Sequence, residues 1–304
     1  MSQPPLVSVV IATYNRSNAL AYAISSVLSQ TFTDFEVLVV GDGCTDDSQA
    51  VVEGFDDPRV KWIGLDHNHG HQAEPNNIGI SNARGKYIAY LGHDDLWFPH
   101  HLQSSVDALE TGFDLSYTLT LSIAEKEGLH HLLPISVSYI TGMWIPPSSV
   151  LHRRSLIDDI GAWRLHRELK QSPDSELIQR AADAGKKFVN VPRLSALKIP
   201  AACRRNVYKL RSCDEQHYWY DRISSEPELE AVELAKCYIE LSQIDSNGEK
   251  LKSLALQFKR RRYQSFFKLR LLNKLSKIFG RPLNLIEQSQ IYKDLNPRQS
   301  SKRE

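Results

Sequence analysis

Short apolar runs alternate with longer amphipathic segments through the first two thirds of the chain. The runs are rich in Val, Ile, Leu and aromatic residues and predict buried β-strands at 6–12, 35–40, 60–63, 87–91, 115–123, 148–152 and 188–191. Between them, apolar residues recur at helical spacing around 19–28, 50–52, 77–83, 155–160 and 174–184. Strands that alternate with helices predict an α/β fold, with a mostly parallel sheet and right-handed crossovers.

Polar side chains follow three of the predicted strands where each strand ends. Thr13 follows the first, Asp42 the second, and Asp94 with Asp95 the fourth. Because ligands of open α/β sheets bind beyond the carboxyl ends of the strands, we expect these side chains to share one rim. Two adjacent carboxylates repel each other unless a cation or hydrogen-bonding ligand offsets their charge, and Mg²⁺ and Mn²⁺ prefer such oxygen ligands. The alternative is that both aspartates cap a helix starting near Trp97.

A glycine lies on each side of Asp42, in the run Gly41-Asp42-Gly43. The glycines allow tight backbone geometry and the close approach of a ligand. Asp42 could then accept a hydrogen bond from the imide N–H of uracil or thymine. The alternative is a simple strand-to-helix turn that Asp46 caps. A dinucleotide-binding G-x-G-x-x-G fingerprint is disfavoured, because Asp46 stands where its third glycine would be.

Two acidic residues, Asp174 and Glu176, stand at the start of the predicted helix 174–184. A carboxylate at the mouth of a cleft could act as a general base toward an acceptor hydroxyl. Asp174 could equally be the N-cap, with both acids complementing the helix dipole. Local sequence does not distinguish a cap from a base.

Composition is that of a soluble globular protein, with 304 residues, 41% hydrophobic, 24% charged, and a net charge of +1. Segment 259–281 carries nine Lys or Arg and no Asp or Glu, so the remainder is net acidic. An acidic main domain argues against nucleic-acid binding. Basic residues mixed with apolar ones in 259–281 are consistent with a membrane-surface helix or with a helix packed on the main domain.

Cysteine and histidine spacing gives little support for a metal or disulfide framework. The four cysteines are scattered and form no C-x-x-C pair, and His67, His69 and His71 alternate in a loop without further obvious ligands. The first residues lack the basic and apolar regions of a signal peptide, and no apolar run reaches the length of a membrane span. We therefore expect a cytoplasmic location with reduced thiols, and membrane association only through the basic segment.

The combined motifs resemble the family 2 glycosyltransferases of the GT-A fold over about residues 7–200. The resemblance rests on the order and spacing of the segments V-V-I-A-T-Y-N-R (9–16), V-V-G-D-G-C-T-D (39–46), N-N-I-G-I (76–80), L-G-H-D-D (91–95) and D-S-E-L (174–177). The chain departs from the family pattern at four positions. Gly41 and Gly92 stand where aspartates are usual, Asn76 replaces an arginine and Pro173 replaces a glutamate.

The resemblance implies an inverting, metal-dependent glycosyltransferase that takes a nucleotide-diphosphate sugar and a glycan or lipid-linked acceptor in polysaccharide assembly. Asp174 would be the catalytic base, and Asp94 and Asp95 would bind Mn²⁺ or Mg²⁺. The donor would be held by Thr13, Tyr14, Arg16, Asp42, Asn77 and Asp94. The catalytic domain would cover 1–207, and a helical, basic extension would cover 208–304.

Two other classes of function stay open at this stage. A non-catalytic nucleotide-sugar binding protein of the same fold is favoured by Gly41, Gly92 and Asn76, which remove charged groups from the motifs. A sugar nucleotidyltransferase has a similar sheet, but the glycine-rich, basic phosphate loop expected after its first strand is missing at 13–16.

Overall fold

The computed structural model of the chain describes residues 3–123, 130–134, 136, 138–165, 169, 171–201, 204, 206–210 and 212–243. Met1–Glu230 form one compact unit and Ala231–Glu304 form another. The predicted boundary after residue 207 stays a prediction. The basic segment 259–281, with its predicted membrane contact, lies outside the described residues. Within the described part of the chain, no helix has both the length and the apolar character to cross a membrane.

One mixed sheet runs through the first unit and confirms the predicted α/β fold. Its nine described strands are β1 (Val7–Thr13), β2 (Phe35–Gly41), β3 (Val60–Gly64), β4 (Tyr87–Tyr90), β5 (Leu96–Trp97), β6 (Leu115–Ser122), β7 (His131–Leu133), β8 (Val150–Arg153) and β9 (Phe188–Lys198). They lie in the order β3-β2-β1-β4-β8-β6-β9-β5, with β7 beside β6.

Helices flank this sheet and account for the long spacings between its strands. Those described are α1 (Ser17–Leu28), α2 (Ser48–Glu53), α3 (Ala73–Asn82), α4 (His101–Glu110), α5 (Ser155–Ile160), α6 (Pro173–Asp183), α7 (Val207–Leu210), α8 (Asp214–Ser225) and α9 (Leu229–Gln243). A single 3₁₀ turn, Pro147–Ser149, precedes β8.

Strands β1 to β4 pair in parallel, and β1, β2 and β4 are buried on both faces. Val9 packs with Leu20 of α1 on one face, and Val10 packs with Ile80 of α3 on the other. Helix α3 comes so close that a Cβ on Gly79 would lie 2.4 Å from Val10 Cγ1. Residues apolar on both faces explain why these strands read as continuous apolar runs in the sequence.

Strands β5 to β9 form the mixed part of the sheet. β8 pairs antiparallel with both β4 and β6, β9 runs parallel to β6, and β5 pairs antiparallel with β9. The sheet is therefore half parallel and half antiparallel in its pairings, with the antiparallel pairs all beyond β4.

Two elements differ from the sequence prediction, and both bear on the site. No helix follows Asp95 directly: Leu96–Trp97 form the short strand β5 and α4 begins at His101, so the capping alternative for Asp94 and Asp95 is wrong. Strand β9 continues seven residues beyond its predicted end at 191, to Lys198, through a shift of register against β6. The exposed pair at 192–193 interrupts the apolar pattern, so the pattern does not predict that the strand continues.

Candidate active site

The first wall of the site is the pair of loops that follow β1 and β2. Asn15 has the left-handed backbone φ of 49°, and its Oδ1 accepts hydrogen bonds from the backbone N–H groups of Thr45 (2.8 Å) and Asp46 (3.3 Å). Asp46 accepts hydrogen bonds from the backbone N–H groups of Ser17 (3.2 Å) and Ser48 (3.1 Å), at the starts of α1 and α2. Asp46 therefore satisfies backbone N–H groups at the starts of both helices and leaves Asp42 free of that task, although the N-cap residue of α2 is Asp47 and not Asp46, as the turn alternative had it.

Asp42 lies buried in this wall beneath the histidine loop. Its backbone N–H donates to Thr13 O at 2.8 Å, and its carboxylate accepts a hydrogen bond from His69 N and contacts His69 Nδ1 at 2.6 Å. A Cβ on Gly43, whose φ is 66°, would lie 2.4 Å from the backbone carbon of His67. Only glycine fits at position 43, because the 67–69 backbone packs directly on it.

The alternating histidines do not form a metal site among the described residues. His67 and His69 lie with ring centroids 4.3 Å apart, and His69 is held by Asp42. No group of three or more His, Cys, Asp or Glu side chains in the described part of the chain is arranged to hold a metal ion.

Gly41, a departure from the family pattern, has no room for a side chain. A Cβ at this position would lie 2.1 Å from Cη2 of Trp62, which comes from the neighbouring strand β3. The indole also lies against Gly64, the partner of Gly41 in the sheet. Trp62 therefore fills the space that an aspartate at position 41 would need.

Asp95 is fully buried beyond β4 and is bound from three sides. Its Oδ2 accepts hydrogen bonds from Ser148 Oγ (2.5 Å) and Lys198 Nζ (3.2 Å), and its Oδ1 accepts one from the backbone N–H of Ile199 (2.9 Å). Burial lowers the pKa of Lys198, but the charges of Asp95, Asp94 and Asp174 raise it more, so its pKa lies above the usual value. The ammonium and the Asp95 carboxylate thus form a charged pair.

Asp94, by contrast, is bonded to its neighbours through its backbone. Its carbonyl oxygen accepts a hydrogen bond from Gln216 Nε2 at 3.2 Å. Burial raises the pKa of the Asp94 carboxyl, and the charge of Asp95 raises it further, while His93, Lys198 and Arg16 oppose the rise. No hydrogen bond to the Asp94 carboxylate is found among the described residues, so this carboxylate is available to a ligand.

Gly92, the second glycine in place of an aspartate, is as crowded as Gly41. A Cβ at this position would lie 2.7 Å from Asp95 Oδ2 and 3.3 Å from Asp94 Oδ1. A third carboxylate would have to displace the other two. The side chains present therefore do not fit the two-carboxylate Mn²⁺ or Mg²⁺ site that the sequence predicts, because Asp95 is already bound to Lys198, Ser148 and Ile199.

Asp174 and Glu176 lie in the same helical turn and have different environments. The N-cap of α6 is Ser172, so the alternative with Asp174 as the N-cap is wrong. Asp174 Oδ2 accepts a hydrogen bond from the indole Nε1 of Trp144 at 2.6 Å, and its charge acts on Lys198. Glu176 instead forms ion pairs with Arg180 (2.8 Å) and Arg164 (3.2 Å). Asp174 is thus held by one neutral donor, whereas Glu176 is held by two arginines.

Arg16 and His93 complete the rim beside Tyr208. The buried Arg16 guanidinium donates to the carbonyl oxygens of Val207 (3.2 Å) and Ser212 (3.4 Å). The Arg16 carbon Cζ lies 6.0 Å from the ring centroid of Tyr208, and the His93 ring lies 6.3 Å from it. Burial lowers the pKa of His93, and Arg16 adds to the effect, so the imidazole is neutral near pH 7.

Tyr14 and Asn77, which are also predicted to contact the sugar donor, differ in how accessible their side chains are. Tyr14 is 37% exposed at the rim. Asn77 uses both ends of its amide on Trp163, donating to its carbonyl oxygen and accepting from its backbone N–H, each at 2.9 Å. The Asn77 side chain thus anchors the segment before α6, and its predicted contact with the donor stays a prediction.

Three side chains at the site escaped the sequence prediction: Lys198, Ser148 and Trp144. Lys198 was missed because β9 was expected to end at 191. Ser148 was expected inside the strand predicted at 148–152 but lies in the 3₁₀ turn Pro147–Ser149, and Trp144 lies in the irregular segment before that turn. No local signal in the sequence identifies these three residues, since each acts on an aspartate at least 30 positions away.

A parallel half-sheet with acidic side chains beyond its strand ends defines a nucleotide-binding class of α/β protein. The family model described as glycosyl transferase family 2 matches residues 8–168, which is more than half of the chain. The chain belongs to glycosyl transferase family 2.

Curated relatives agree with this membership. An uncharacterized glycosyltransferase of Rickettsia prowazekii is 35% identical over 105 residues, which cover 34% of this chain and 32% of the relative. The UDP-Glc:alpha-D-GlcNAc-diphosphoundecaprenol beta-1,3-glucosyltransferase WfgD of Escherichia coli is 28% identical over 50% of this chain and 55% of its own length. The succinoglycan biosynthesis protein ExoO of Rhizobium meliloti is 40% identical over 34% of this chain and 29% of its own. The matches thus span about a third to a half of these relatives.

Solved structures show the same fold at low sequence identity. S. aureus TarS 1-349 in complex with UDP-GlcNAc has a TM-score of 0.58 at 15% identity, over 98% of this chain and 93% of that one. The mannosyltransferase PcManGT from Pyrobaculum calidifontis, in complex with GDP-Man and Mn²⁺, has a TM-score of 0.53 at 14% identity, over 100% of this chain and 89% of that one. The fold is therefore of the GT-A type.

Proposed function

We propose that this chain transfers a sugar from a nucleotide-diphosphate sugar to an acceptor hydroxyl, with inversion at the anomeric carbon. One observation carries the proposal: the rim between Asp42 and Asp94 holds buried polar atoms that have no partner among the described residues. These atoms are Thr13 Oγ1, Arg16 Nε and His93 Nδ1. Buried polar groups are nearly always hydrogen-bonded, so these three groups are available to a polar ligand that binds at the rim.

A nucleotide diphosphate fits the chemistry of these groups. Asp42 lies beside Thr13 and could accept a hydrogen bond from a base N–H, while Thr13 and the exposed ring of Tyr14 could contact base and ribose. The guanidinium of Arg16 lies on the side of Asp94, where it could donate to phosphoryl oxygens. TarS and PcManGT, which share the fold, have structures with UDP-GlcNAc and GDP-Man respectively.

Asp174 is the proposed general base on the other side of the cleft. Its carboxylate is fixed by the indole of Trp144 and is not consumed by an ion pair, unlike that of Glu176. It would take the proton of the acceptor hydroxyl as the oxygen bonds to the anomeric carbon and the diphosphate leaves with the electrons of the broken C–O bond. A single in-line displacement of this kind inverts the configuration.

The predicted divalent cation has a weaker basis in this chain than the donor. A metal ion would stabilise charge on the leaving diphosphate, and PcManGT is known with Mn²⁺. In this chain Asp94 offers a carboxylate, but Asp95 is bound to Lys198 and Gly92 offers none. The proposed transfer therefore includes no step on a metal ion.

The acceptor is proposed to be a glycan or a lipid-linked sugar, and the process to be polysaccharide assembly. The support comes from the relatives, because WfgD is described as acting on a diphosphoundecaprenol-linked sugar and ExoO as acting in succinoglycan biosynthesis. Binding without catalysis is the second candidate function. Gly41 and Gly92 favour it, since each lacks a carboxylate that is usual in the family pattern.

A screen of UDP- and GDP-sugars tests the proposal. We expect one donor to raise the melting temperature of the chain and, with a glycan acceptor, to release its nucleoside diphosphate above the rate of a no-acceptor control. Thermal stabilisation without any release, over a broad set of acceptors, would favour the binding protein. The absence of both effects for every donor would contradict the proposed function.

A further inference from the structure

Lys198 places a cation against the carboxylates that follow β4 in the proposed active site. Its ammonium lies 3.2 Å from Asp95 Oδ2. A divalent metal would be expected at the same position, between carboxylates and diphosphate.

The Lys198 ammonium has hydrogen-bond donors beyond the one that it uses in its ion pair with Asp95. Lysine has three N–H donors, and Asp95 is the one hydrogen-bond acceptor found for it among the described residues. About a fifth of its side chain is exposed, while Asp95 is fully buried. Asp95 also accepts hydrogen bonds from Ser148 Oγ and from the backbone N–H of Ile199, and these hold its carboxylate in place. The arrangement holds the ammonium in place and leaves two N–H groups for a ligand.

The crowding at Gly92 supports the same conclusion from another direction. A side chain there would meet the carboxylates of Asp95 and Asp94, so the family's usual additional aspartate is excluded by the present packing. The pocket has one carboxylate fewer than the family pattern, and it has one ammonium that the pattern without a lysine would lack. Its net charge is therefore less negative by two units. Such a pocket attracts a diphosphate without first needing a divalent cation.

We infer that Lys198 is the resident cation of the donor site and supplies, at the diphosphate, the positive charge that a divalent metal supplies in metal-dependent transferases. The inference rests on the proposed function. In the transfer, the acceptor oxygen forms the new bond to the anomeric carbon, its proton goes to Asp174, and the C–O bond to the diphosphate breaks. The leaving diphosphate keeps that electron pair, and the Lys198 ammonium donates hydrogen bonds to its oxygens.

Calorimetric titration of UDP and of GDP in EDTA, and then in Mn²⁺, tests the inference on binding alone. We expect the native chain to bind one of the nucleotides in EDTA, with less than about a threefold gain from Mn²⁺. Lys198→Met should weaken binding in EDTA by about tenfold or more, the value of a lost charge-assisted hydrogen bond. In that variant Mn²⁺ should restore much of the affinity, because Asp95 is freed to join Asp94 as a ligand.

Two further variants keep this result interpretable. Lys198→Met leaves Asp95 buried without its cation, so the double variant Asp95→Asn/Lys198→Met, which removes both charges, guards against loss of the fold. It should bind weakly in EDTA and gain little from Mn²⁺. Lys86→Met is the matched control, because it breaks the exposed Lys86–Glu110 pair at the opposite end of β4 and should leave binding unchanged.

The outcomes separate the two proposals. Native binding that disappears in EDTA and returns with Mn²⁺ would overturn the role of Lys198 and leave the glycosyltransferase standing. Equal affinity of the native chain and of both Lys198 variants in EDTA would also overturn that role. No binding of either nucleotide under any condition would contradict the proposed function and this inference together.

Discussion

The two sides of the cleft are built in contrasting ways. On the β1, β2 and β4 side, here called the donor side, polar atoms of Thr13, Arg16 and His93 are buried without a partner among the described residues. On the α6 side, here called the acceptor side, the proposed base Asp174 is hydrogen-bonded to the indole of Trp144. The donor side has the features of an incomplete site, and the acceptor side those of a preorganised one.

The contrast reflects the different requirements on groups that bind a ligand and on groups that act as a base or a fixed cation. A binding surface has to leave donors and acceptors unsatisfied until the ligand arrives, and their desolvation is then offset by the ligand's own polar groups. A base and a fixed cation act best when neighbouring hydrogen bonds hold them in one orientation before the substrate binds. On the acceptor side Trp144 holds the proposed base, and Ser148 and Ile199 hold Asp95, the partner of Lys198, in the same way.

The largest expected effect is on the acceptor side, at the proposed base. Asp174→Asn keeps an oxygen to accept the Trp144 hydrogen bond but cannot take the acceptor proton, so we expect kcat to fall by about a thousandfold. The dissociation constant of the donor should change less than about twofold, because the donor side is untouched. Turnover assays together with calorimetric titration measure both quantities.

The matched variant for this test is Glu176→Gln, in the same turn of α6. It breaks the ion pairs with Arg180 and Arg164 and should lower stability while kcat stays within about threefold of the native value. If instead Glu176→Gln abolished transfer and Asp174→Asn did not, the assignment of the base would be reversed.

The donor side could be predicted from sequence because its signals are local. The positions of Thr13, Asp42 and Asp94 follow from where apolar strands end, and parallel pairing brings strand ends to one rim. The rest of the site depends on contacts between distant segments. The Lys198–Asp95 pair joins residues 103 apart, and the continuation of β9 that carries Lys198 is stabilised by β6 and not by its own pattern. Trp144 likewise lies in no sequence pattern that would link it to Asp174.

The second prediction concerns the glycine at the end of β4. Gly92→Asp restores the family's usual residue but drives a third carboxylate against Asp95 and Asp94, so we expect the free energy of unfolding to fall by about 3 kcal/mol. Gly92→Ala, which adds only the Cβ, should cost about 2 kcal/mol from overpacking. Urea unfolding followed by fluorescence measures both values.

Gly54→Ala is the control for the glycine series. It lies in the αR region at the end of α2, and a Cβ there would approach Ala50 O no closer than 3.2 Å. Its stability should stay within about 1 kcal/mol of native. A Gly92→Asp variant as stable as Gly54→Ala would show that the carboxylates rearrange freely, and would weaken the case for a preformed Lys198 pocket.

The third prediction concerns a buried polar anchor near the start of β2, at the opposite end of the strand from the rim. Glu36, buried in β2, accepts hydrogen bonds from Ser8 Oγ (2.8 Å), the backbone and guanidinium of Arg84 (2.8–3.0 Å) and Lys61 (3.3 Å). Burial raises the pKa of Glu36, but these hydrogen bonds lower it more, so its pKa in the folded chain lies below the usual value.

A lowered folded pKa fixes the sign of the pH dependence. The carboxylate stabilises the fold above its unfolded pKa, near 4.5, and this stabilisation is lost as the pH falls through the folded value. Glu36→Gln should therefore cost about 2 kcal/mol at pH 7, after allowing for the half-exposed Arg84 and Lys61, and progressively less below pH 4.5. A cost independent of pH in urea unfolding would assign the effect to packing instead.

The smallest expected effect returns to the acceptor side and asks how much its preorganisation contributes. Trp144→Phe keeps an aromatic ring but removes the N–H that binds Asp174, so kcat should fall by roughly fivefold, about 1 kcal/mol, at an unchanged donor KM. Trp163→Phe is the matched control, because the Trp163 indole packs edge-on against Tyr90, with ring centroids 5.1 Å apart, and is not the hydrogen-bond partner of Asp174, so the change should leave kcat unchanged. If both variants lowered kcat equally, the effect would come from packing around α6, and the hydrogen bond to Asp174 would not position the base.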